Sequence, residues 1–391
     1  MLALEENNKE NMQTDFYGNF KLGILGGGQL GRMLIQQAIN YNIHISSLDP
    51  DSNAPCKDIA SNFTVGSLND YDTVYAFGKQ VNMLTIEIEH VNVEALMKLE
   101  EEGVLVFPQP SVLKMIQDKG LQKQFYADND IPTPEYYLIE RKSDIATHAN
   151  KFPFFQKLRK GGYDGKGVVK LSDPTKLNDA FDAPSVLEKL VDFKKEISVI
   201  VARNQQGEIK TFPSVECDFN PEANLVEFLF SPASHSVEVE EKAQQIAYDI
   251  AKKLGIVGIL AVEMFVTQND EVLVNEIAPR PHNSGHQTIE GNYTSQYEQH
   301  LRAILDLPLG NTEIILPSVM INLLGEKGYE GNAQYEGLEE VLKIKGAHIH
   351  LYGKKTTKPF RKMGHVTVVD EHIHLAKAKA ILIKNTLKVI A

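Results

Sequence analysis

Apolar runs too short for helices recur along the first hundred residues, each followed by a stretch with apolar positions at helical spacing. Residues 21–25 read as a buried strand and residues 32–40 as a helix beyond a glycine turn. Residues 43–48, 82–88 and 104–107 repeat the strand pattern, with helical stretches between them. This alternation predicts a parallel sheet with helices on both faces. Pro108 and Pro110 close the block, and Ser111 is placed to N-cap a helix running to about Asp128.

After the break at Ile131-Pro132-Thr133-Pro134, the pattern turns to strands of antiparallel character mixed with helices. Strands are expected at 154–158, 168–171, 185–190, 196–202 and 210–215, a helix at 238–254, and a hairpin from 261–267 and 272–277. From about residue 316 short strands at 342–345, 348–352 and 364–369 precede a small terminal helix. The expected class is mixed α/β and α+β. A polar extension (1–20) precedes an N-terminal parallel α/β domain (21–110), a central domain (111–310) and a small β-rich C-terminal domain (311–391).

The hairpin carries the most pointed chemistry. Its turn, Gln268-Asn269-Asp270-Glu271, pairs Thr267 with Val272 and brings Glu263 opposite Glu276. Like charges facing each other across a sheet are destabilising, so this pair calls for a cation or a shared proton. Mg²⁺ bridged to nucleotide phosphates meets that need.

Composition narrows the partners. A chain of 391 residues, 42% apolar and 24% charged, is an ordinary globular protein too long for one core. Its net charge of -12 argues against a general nucleic-acid or membrane-surface binder, so anionic ligands must be held by local cations. Two distant cysteines, Cys56 and Cys217, support neither a disulfide framework nor a zinc site. No apolar run reaches the roughly 20 residues of a membrane helix, and a cytoplasmic location is the expectation.

Four further clusters could bind ligands. Gly26-x-Gly28-x-x-Gly31, with Asp49 after the next strand, fits a dinucleotide, a phosphorylated metabolite or a plain tight turn. Lys157 precedes Gly161-Gly162-Tyr163-Asp164-Gly165-Lys166-Gly167, which is no Walker A loop, yet could fold over phosphates with Lys157 and Lys166 as cations; an exposed hairpin turn is the plain alternative. Glu188-Lys189-Leu190-Val191, leading to Glu196, offers a strand end to an adenine edge and a carboxylate to a ribose, or is a solvated strand end. Arg280, His282, Asn283 and Ser284 follow Glu276 directly, with Lys354, Arg361 and Lys362 as a distant basic set.

Together these residues resemble the ATP-grasp superfamily, and within it the N5-carboxyaminoimidazole ribonucleotide synthetases of purine biosynthesis. The resemblance covers nearly all of the chain from about Lys21. It rests on Gly26 to Met33 (GGGQLGRM), Gly161 to Gly167 (GGYDGKG) and Asn275 to His286 (NEIAPRPHNSGH), supported by Thr85-x-Glu87-x-Glu89, Pro317 to Leu323 and Arg361-Lys362-Met363-Gly364-His365. It implies an ATP-grasp architecture with a pre-ATP-grasp domain, usually as a homodimer, and it removes NAD from the first glycine turn. The implied reaction phosphorylates bicarbonate with ATP to carboxyphosphate, whose carboxyl group passes to 5-aminoimidazole ribonucleotide. Mg²⁺, or Mn²⁺ in its place, falls to Glu263 and Glu276. ATP falls to Lys119, Lys157, Gly162, Tyr163, Asp164, Gly165, Lys166, Gly167, Val168, Glu188, Lys189, Leu190, Val191, Glu196, Asn275 and Glu276. The ribonucleotide falls to Gln29, Glu87, Tyr163, Arg280, His282, Asn283, Ser284, Lys354 and Arg361.

Three departures from the family pattern stand out: Lys119 where Arg is common, Phe219 where a His is common, and a segment at Lys354-Lys355 one residue longer than usual. A formate-using glycinamide ribonucleotide transformylase and a biotin carboxylase would share the core, but lack the His-Asn-Ser-Gly-His continuation. A nucleotide-binding protein without turnover is the alternative of a different class.

Overall fold

The structure, a computed structural model, describes residues 20–162, 167–220, 222 and 225–391. The described residues form two compact units, one of residues 20–110 with Tyr352–Lys354, the other of the remaining described residues. In the first, β1 (Lys21–Leu25), β2 (His44–Asp49), β3 (Asn62–Val65), β4 (Met83–Ile86) and β5 (Leu105–Val106) pair in parallel in the order β3-β2-β1-β4-β5. Leu22, Ile24, Leu25, Met83, Leu84 and Ile86 are buried whichever face they point to, as central parallel strands require. Helices Gln29–Ile39, Tyr71–Gly78 and Val93–Glu101 connect the strands. Asp70 caps the second by accepting from the Thr73 N–H at 2.9 Å, and Asn92 caps the third by accepting from Ala95 at 2.8 Å.

The second unit holds a four-stranded antiparallel sheet of β6 (Tyr136–Ile139), β7 (Phe154–Leu158), β8 (Val168–Leu171) and β9 (Ser185–Lys189), ordered β6-β9-β7-β8. A larger antiparallel sheet contains β10 (Phe193–Arg203), β11 (Ile209–Thr211), β12 (Val215–Asn220), β13 (Leu225–Ser231), β14 (Gly258–Thr267), β15 (Val272–Ala278) and β16 (Ser318–Leu324). Its order is β15-β14-β10-β12-β13-β16, continued by strands Lys362–Val369 and Ala347–Leu351, with β11 beside β10. Because β16 pairs with β13, strands on either side of residue 310 share one sheet. Helix Val237–Leu254 presents Val239, Ala243, Ile246, Ala247 and Ile250 at helical spacing to the core over β10 and β14. Helix Ile373–Thr386 does the same over β16 with Ala376, Ala380 and Ile383.

Several expectations from the sequence are corrected. The single helix from Ser111 to Asp128 is two, Pro110–Ile116 and Lys119–Asp128. Asp118 breaks it because its carboxylate caps the second helix, accepting from Gly120 at 2.8 Å and Leu121 at 3.3 Å. The strand expected at 210–215 divides into β11 and β12, since Pro213 between them cannot donate to a ladder. Residues 342–345 are the end of a short helix, Leu338–Leu342, and the turn after it. Strands β3, β6 and β13 had no counterpart in the expected elements. Val272 pairs with Val266, not Thr267; a bulge then restores Glu263 opposite Glu276. Among the described residues, no helix is long and apolar enough to cross a membrane.

Candidate active site

Glu263 on β14 and Glu276 on β15 are directly opposed, and the bulge between Glu263 and Met264 sets that register. The structure divides the two carboxylates electrostatically. Lys119 donates from Nζ to Glu276 Oε2 at 2.7 Å and holds Glu276 well below the usual carboxylate range. Burial, then the facing Glu276 and Glu196, push Glu263 up. The pair thus meets its repulsion with one ammonium on Glu276 and a shift of Glu263 toward its protonated form. Two hard oxygen donors on one sheet face suit Mg²⁺, but no described group of three or more His, Cys, Asp or Glu is arranged for a metal. Two protein carboxylates, with phosphate and water completing the shell, are the usual mode of Mg²⁺ with nucleotides.

Beside this pair lies a buried charge cluster. Glu188, at the end of β9, accepts from Lys157 Nζ at 2.8 Å and lies 3.2 Å from Lys123 Nζ, with Lys123 and Glu188 almost wholly buried. Burial alone would raise Glu188, yet Lys157 and Lys123 overcome it and hold the carboxyl low. Lys157 also donates to Asn275 Oδ1 at 3.0 Å, joining the glycine-loop hairpin to the residue beside Glu276. Lys157 faces Val168 across β7 and β8, and the Leu158 N–H donates to the Gly167 carbonyl at 2.9 Å, so Gly162 and Gly167 stand at the root of the loop. Tyr163, Asp164, Gly165 and Lys166 lie outside the described residues. The Lys189 ammonium turns away, over the Phe154 ring at 5.5 Å, while Leu190 and Val191 link β9 to β10 outside the ladder. Burial raises Glu196, on β10, to about 7.

The segment after β15 is fixed in detail. His282 Nδ1 accepts from the Ser284 N–H at 3.3 Å and lies 2.9 Å from Ser284 Oγ, while His282 Nε2 is 3.6 Å from Glu263 Oε1. Burial, then Arg280 and Lys362, depress His282 to about 3. Asn283 and Asn322 exchange two amide bonds of 2.9 Å, which orients both side chains. Arg280 donates to Pro281 O at 3.1 Å, and Arg361 to Thr356 O at 2.8 Å.

In the first unit the glycine turn differs from a phosphate cradle. Gly26 has φ +105° and a Cβ there would collide with Glu87. The Gly28 and Gly31 N–H groups donate to the two oxygens of Glu87, the latter at 2.6 Å, and Gly27 N–H donates to Asp49 at 2.7 Å. The donors beside Gln29 therefore already hold carboxylates of the protein. Lys354, also of this unit, lies 5.7 Å above the Tyr352 ring.

Three family models match the chain: the ribonucleotide synthetase preATP-grasp domain over residues 20–117, the ATP-grasp domain over 124–297 and the phosphoribosylaminoimidazole carboxylase C-terminal domain over 318–379. The chain is 36% identical to the N5-carboxyaminoimidazole ribonucleotide synthase of Bacillus subtilis, over 91% of this chain and 93% of that protein. The crystal structure of N5-carboxyaminoimidazole ribonucleotide synthetase from Thermotoga maritima matches with a TM-score of 0.88 and 43% identity, over 95% of this chain and 99% of that one. The chain belongs to this ATP-grasp ligase family. The Aspergillus clavatus N5-carboxyaminoimidazole synthase in complex with ADP and 5-aminoimidazole ribonucleotide matches with a TM-score of 0.86 and 33% identity, over 95% and 99% of the two chains. Other relatives are longer: the chain spans 64% of the chloroplastic phosphoribosylaminoimidazole carboxylase of Vigna aconitifolia, with 38% identity over 90% of this chain.

Within this family frame, several residues of the site escaped the sequence. Lys123, Asp118 and Arg159 are the main ones: Arg159 grips Asp118 with bonds of 2.8 and 2.9 Å, fixing the start of the helix that carries Lys119 and Lys123. The four-residue spacing of Lys119 and Lys123 places both on one helix face, a signal present in the sequence. Ser198 and Gln296, which touch the His282 segment, carry no local signal at all.

Proposed function

We propose that the protein carboxylates 5-aminoimidazole ribonucleotide with bicarbonate at the expense of ATP, giving N5-carboxyaminoimidazole ribonucleotide, ADP and phosphate within purine (IMP) biosynthesis. The observation that carries this reading is the opposed Glu263–Glu276 pair set among Lys119, Lys157 and Glu188, in a chain of this family. Mg²⁺ held by Glu263 and Glu276 would supply charge neutralisation at the phosphates. In this reading Lys119 and Lys157 would bind phosphate oxygens, Leu190 and Val191 would meet the adenine edge with unladdered backbone, and Glu196 would accept a ribose hydroxyl. The family resemblance assigns the ribonucleotide to Gln29, Glu87, Tyr163, Arg280, His282, Asn283, Ser284, Lys354 and Arg361. The same family frame supports a homodimer.

The chemistry balances in two steps. A bicarbonate oxygen bonds to the γ-phosphorus as the bond to ADP breaks, giving carboxyphosphate. The exocyclic amine then bonds to the carboxyl carbon, the carbon–oxygen bond to phosphate breaks, and the amine loses a proton. Positioning and fixed charge carry most of the work of phosphoryl transfer. Bicarbonate labelled with ¹⁸O tests this directly: released phosphate should carry one labelled oxygen, and unlabelled phosphate would overturn the carboxyphosphate route.

A further inference from the structure

β15 ends at Ala278, and the residues that carry Arg280, His282, Asn283 and Ser284 continue into a short 3-10 turn, Asn283–Gly285. Outside a ladder, the backbone N–H and C=O groups of such a segment must find side chains or water. Both groups of His282 find the same side chain. Buried Gln296 accepts from the His282 N–H through Oε1 at 2.8 Å and donates from Nε2 to the His282 carbonyl at 2.8 Å. A backbone N–H only donates and a carbonyl only accepts, so the amide has one orientation, independent of any tautomer or hydroxyl rotor. The same Nε2 lies 3.2 Å from His286 Nδ1.

Gln296 is itself fixed at its root. It opens helix Gln296–Ile304, which Ser295 caps by accepting from the Glu298 N–H at 3.1 Å. Its own N–H donates to Thr288 Oγ1 at 2.8 Å, and Thr288 Oγ1 donates to the Gly285 carbonyl at 2.5 Å. Ala303 of this helix packs with Ile259 and Ala261 of β14, the strand that carries Glu263. The turn after β15 is thereby tied back to β14 through Gln296. Gly285 marks how close the approach is. Its φ is outside the left-handed region, yet a Cβ there would strike the oxygen and carbon of the Gln296 amide.

Building on the assignment of His282 and Ser284 to the ribonucleotide, we infer that Gln296 is a positioning residue: its amide takes the place of a neighbouring strand and holds the His282–Ser284 turn in the form that meets the ribonucleotide. The contacts of Lys119, Lys157 and Glu188 run instead to Glu276, Asn275 and Lys123. Loss of the amide therefore falls on use of the ribonucleotide and spares ATP.

The test joins steady-state kinetics to amide hydrogen exchange in the full chain labelled with ¹⁵N-histidine, the His282 amide being identified by loss of its signal in His282→Gln. Gln296→Met, close in size but without either hydrogen bond, should speed exchange at the His282 amide and lower kcat/KM for the ribonucleotide about tenfold, the scale of two lost hydrogen bonds, with KM for ATP within twofold of wild type. Gly285→Ala pushes the same amide from the opposite side and should reproduce the selective loss. A purely structural role would lower the thermal midpoint of both variants and leave the kinetics of the folded protein unchanged; that result would overturn the inference, as would a loss shared equally by ATP and ribonucleotide. If neither variant folds, the wild-type protein decides: protection of the His282 amide before any ribonucleotide is added supports a preset turn, and protection that arises only with the ribonucleotide overturns it. ADP release indifferent to the ribonucleotide would overturn the carboxylation reading instead, and leaves the exchange measurement intact.

Discussion

At Glu276 a carboxylate is held ionised by Lys119 at 2.7 Å, while Glu263 opposite is pushed toward its protonated form by burial. Such a pair is poised to take up positive charge. Glu276→Gln should lower turnover by orders of magnitude, because it removes charge where transition-state charge must be met. It should leave the protein folded but lower the thermal midpoint, since Lys119 loses the carboxylate it pairs with at 2.7 Å. Near-normal turnover in steady-state assays would exclude the metal-holding role. Glu196 makes a separate prediction. Raised to about 7 from an ordinary 4.5, it keeps its proton in the folded state over a range where the unfolded chain has lost it. The folded state then binds more protons, so this group's contribution to stability falls as pH rises from 4.5 to about 7. Glu196→Gln should therefore gain stability relative to wild type across that window in denaturant titrations without nucleotide; a pH-independent difference would contradict the assignment.

At the scale of elements, the helix Lys119–Asp128 is the lever on which two site lysines sit, and its start depends on Asp118. Asp118→Ala should cost about 1–2 kcal/mol of stability from the lost cap. It should also raise KM for ATP, because Lys119 loses its fixed origin; an unchanged KM by initial-rate kinetics would separate the cap from the site. This break in the helix was hidden in the sequence, where apolar spacing runs on past Asp118. The hairpin was more legible, since β-branched residues at a period of two identify both arms and a polar turn joins them. Its bulge was not, because a count of turn residues cannot tell a longer loop with a compensating slip from a shorter one. The glycine turn was legible only as a set of alternatives, a tight turn among them. Its glycines fit a phosphate cradle or a plain turn, and the contact that fills the donors comes from Glu87, 59 residues beyond Gly28, which no local pattern contains. The buried Lys123–Glu188 pair is likewise tertiary: each residue alone reads as solvated charge.

At the scale of the molecule, the large sheet passes from β13 into β16, so the strands after residue 310 complete the sheet that carries Glu263 and Glu276. A chain ended at residue 310 would expose β13 as an unpaired edge and uncover Phe228 and Leu229. It should lose cooperative thermal unfolding by circular dichroism; a sharp transition in that fragment would show the sheet to be divisible. The motif NEIAPRPHNSGH holds Asn275 and Glu276, which meet Lys157 and Lys119, whereas the strand list needed correction at several places. The most direct test of the whole account is ADP release from Mg-ATP and bicarbonate, with and without 5-aminoimidazole ribonucleotide, while that ribonucleotide is followed. Release should depend on the ribonucleotide and equal its consumption; release at the same rate in its absence would contradict the carboxylation reading.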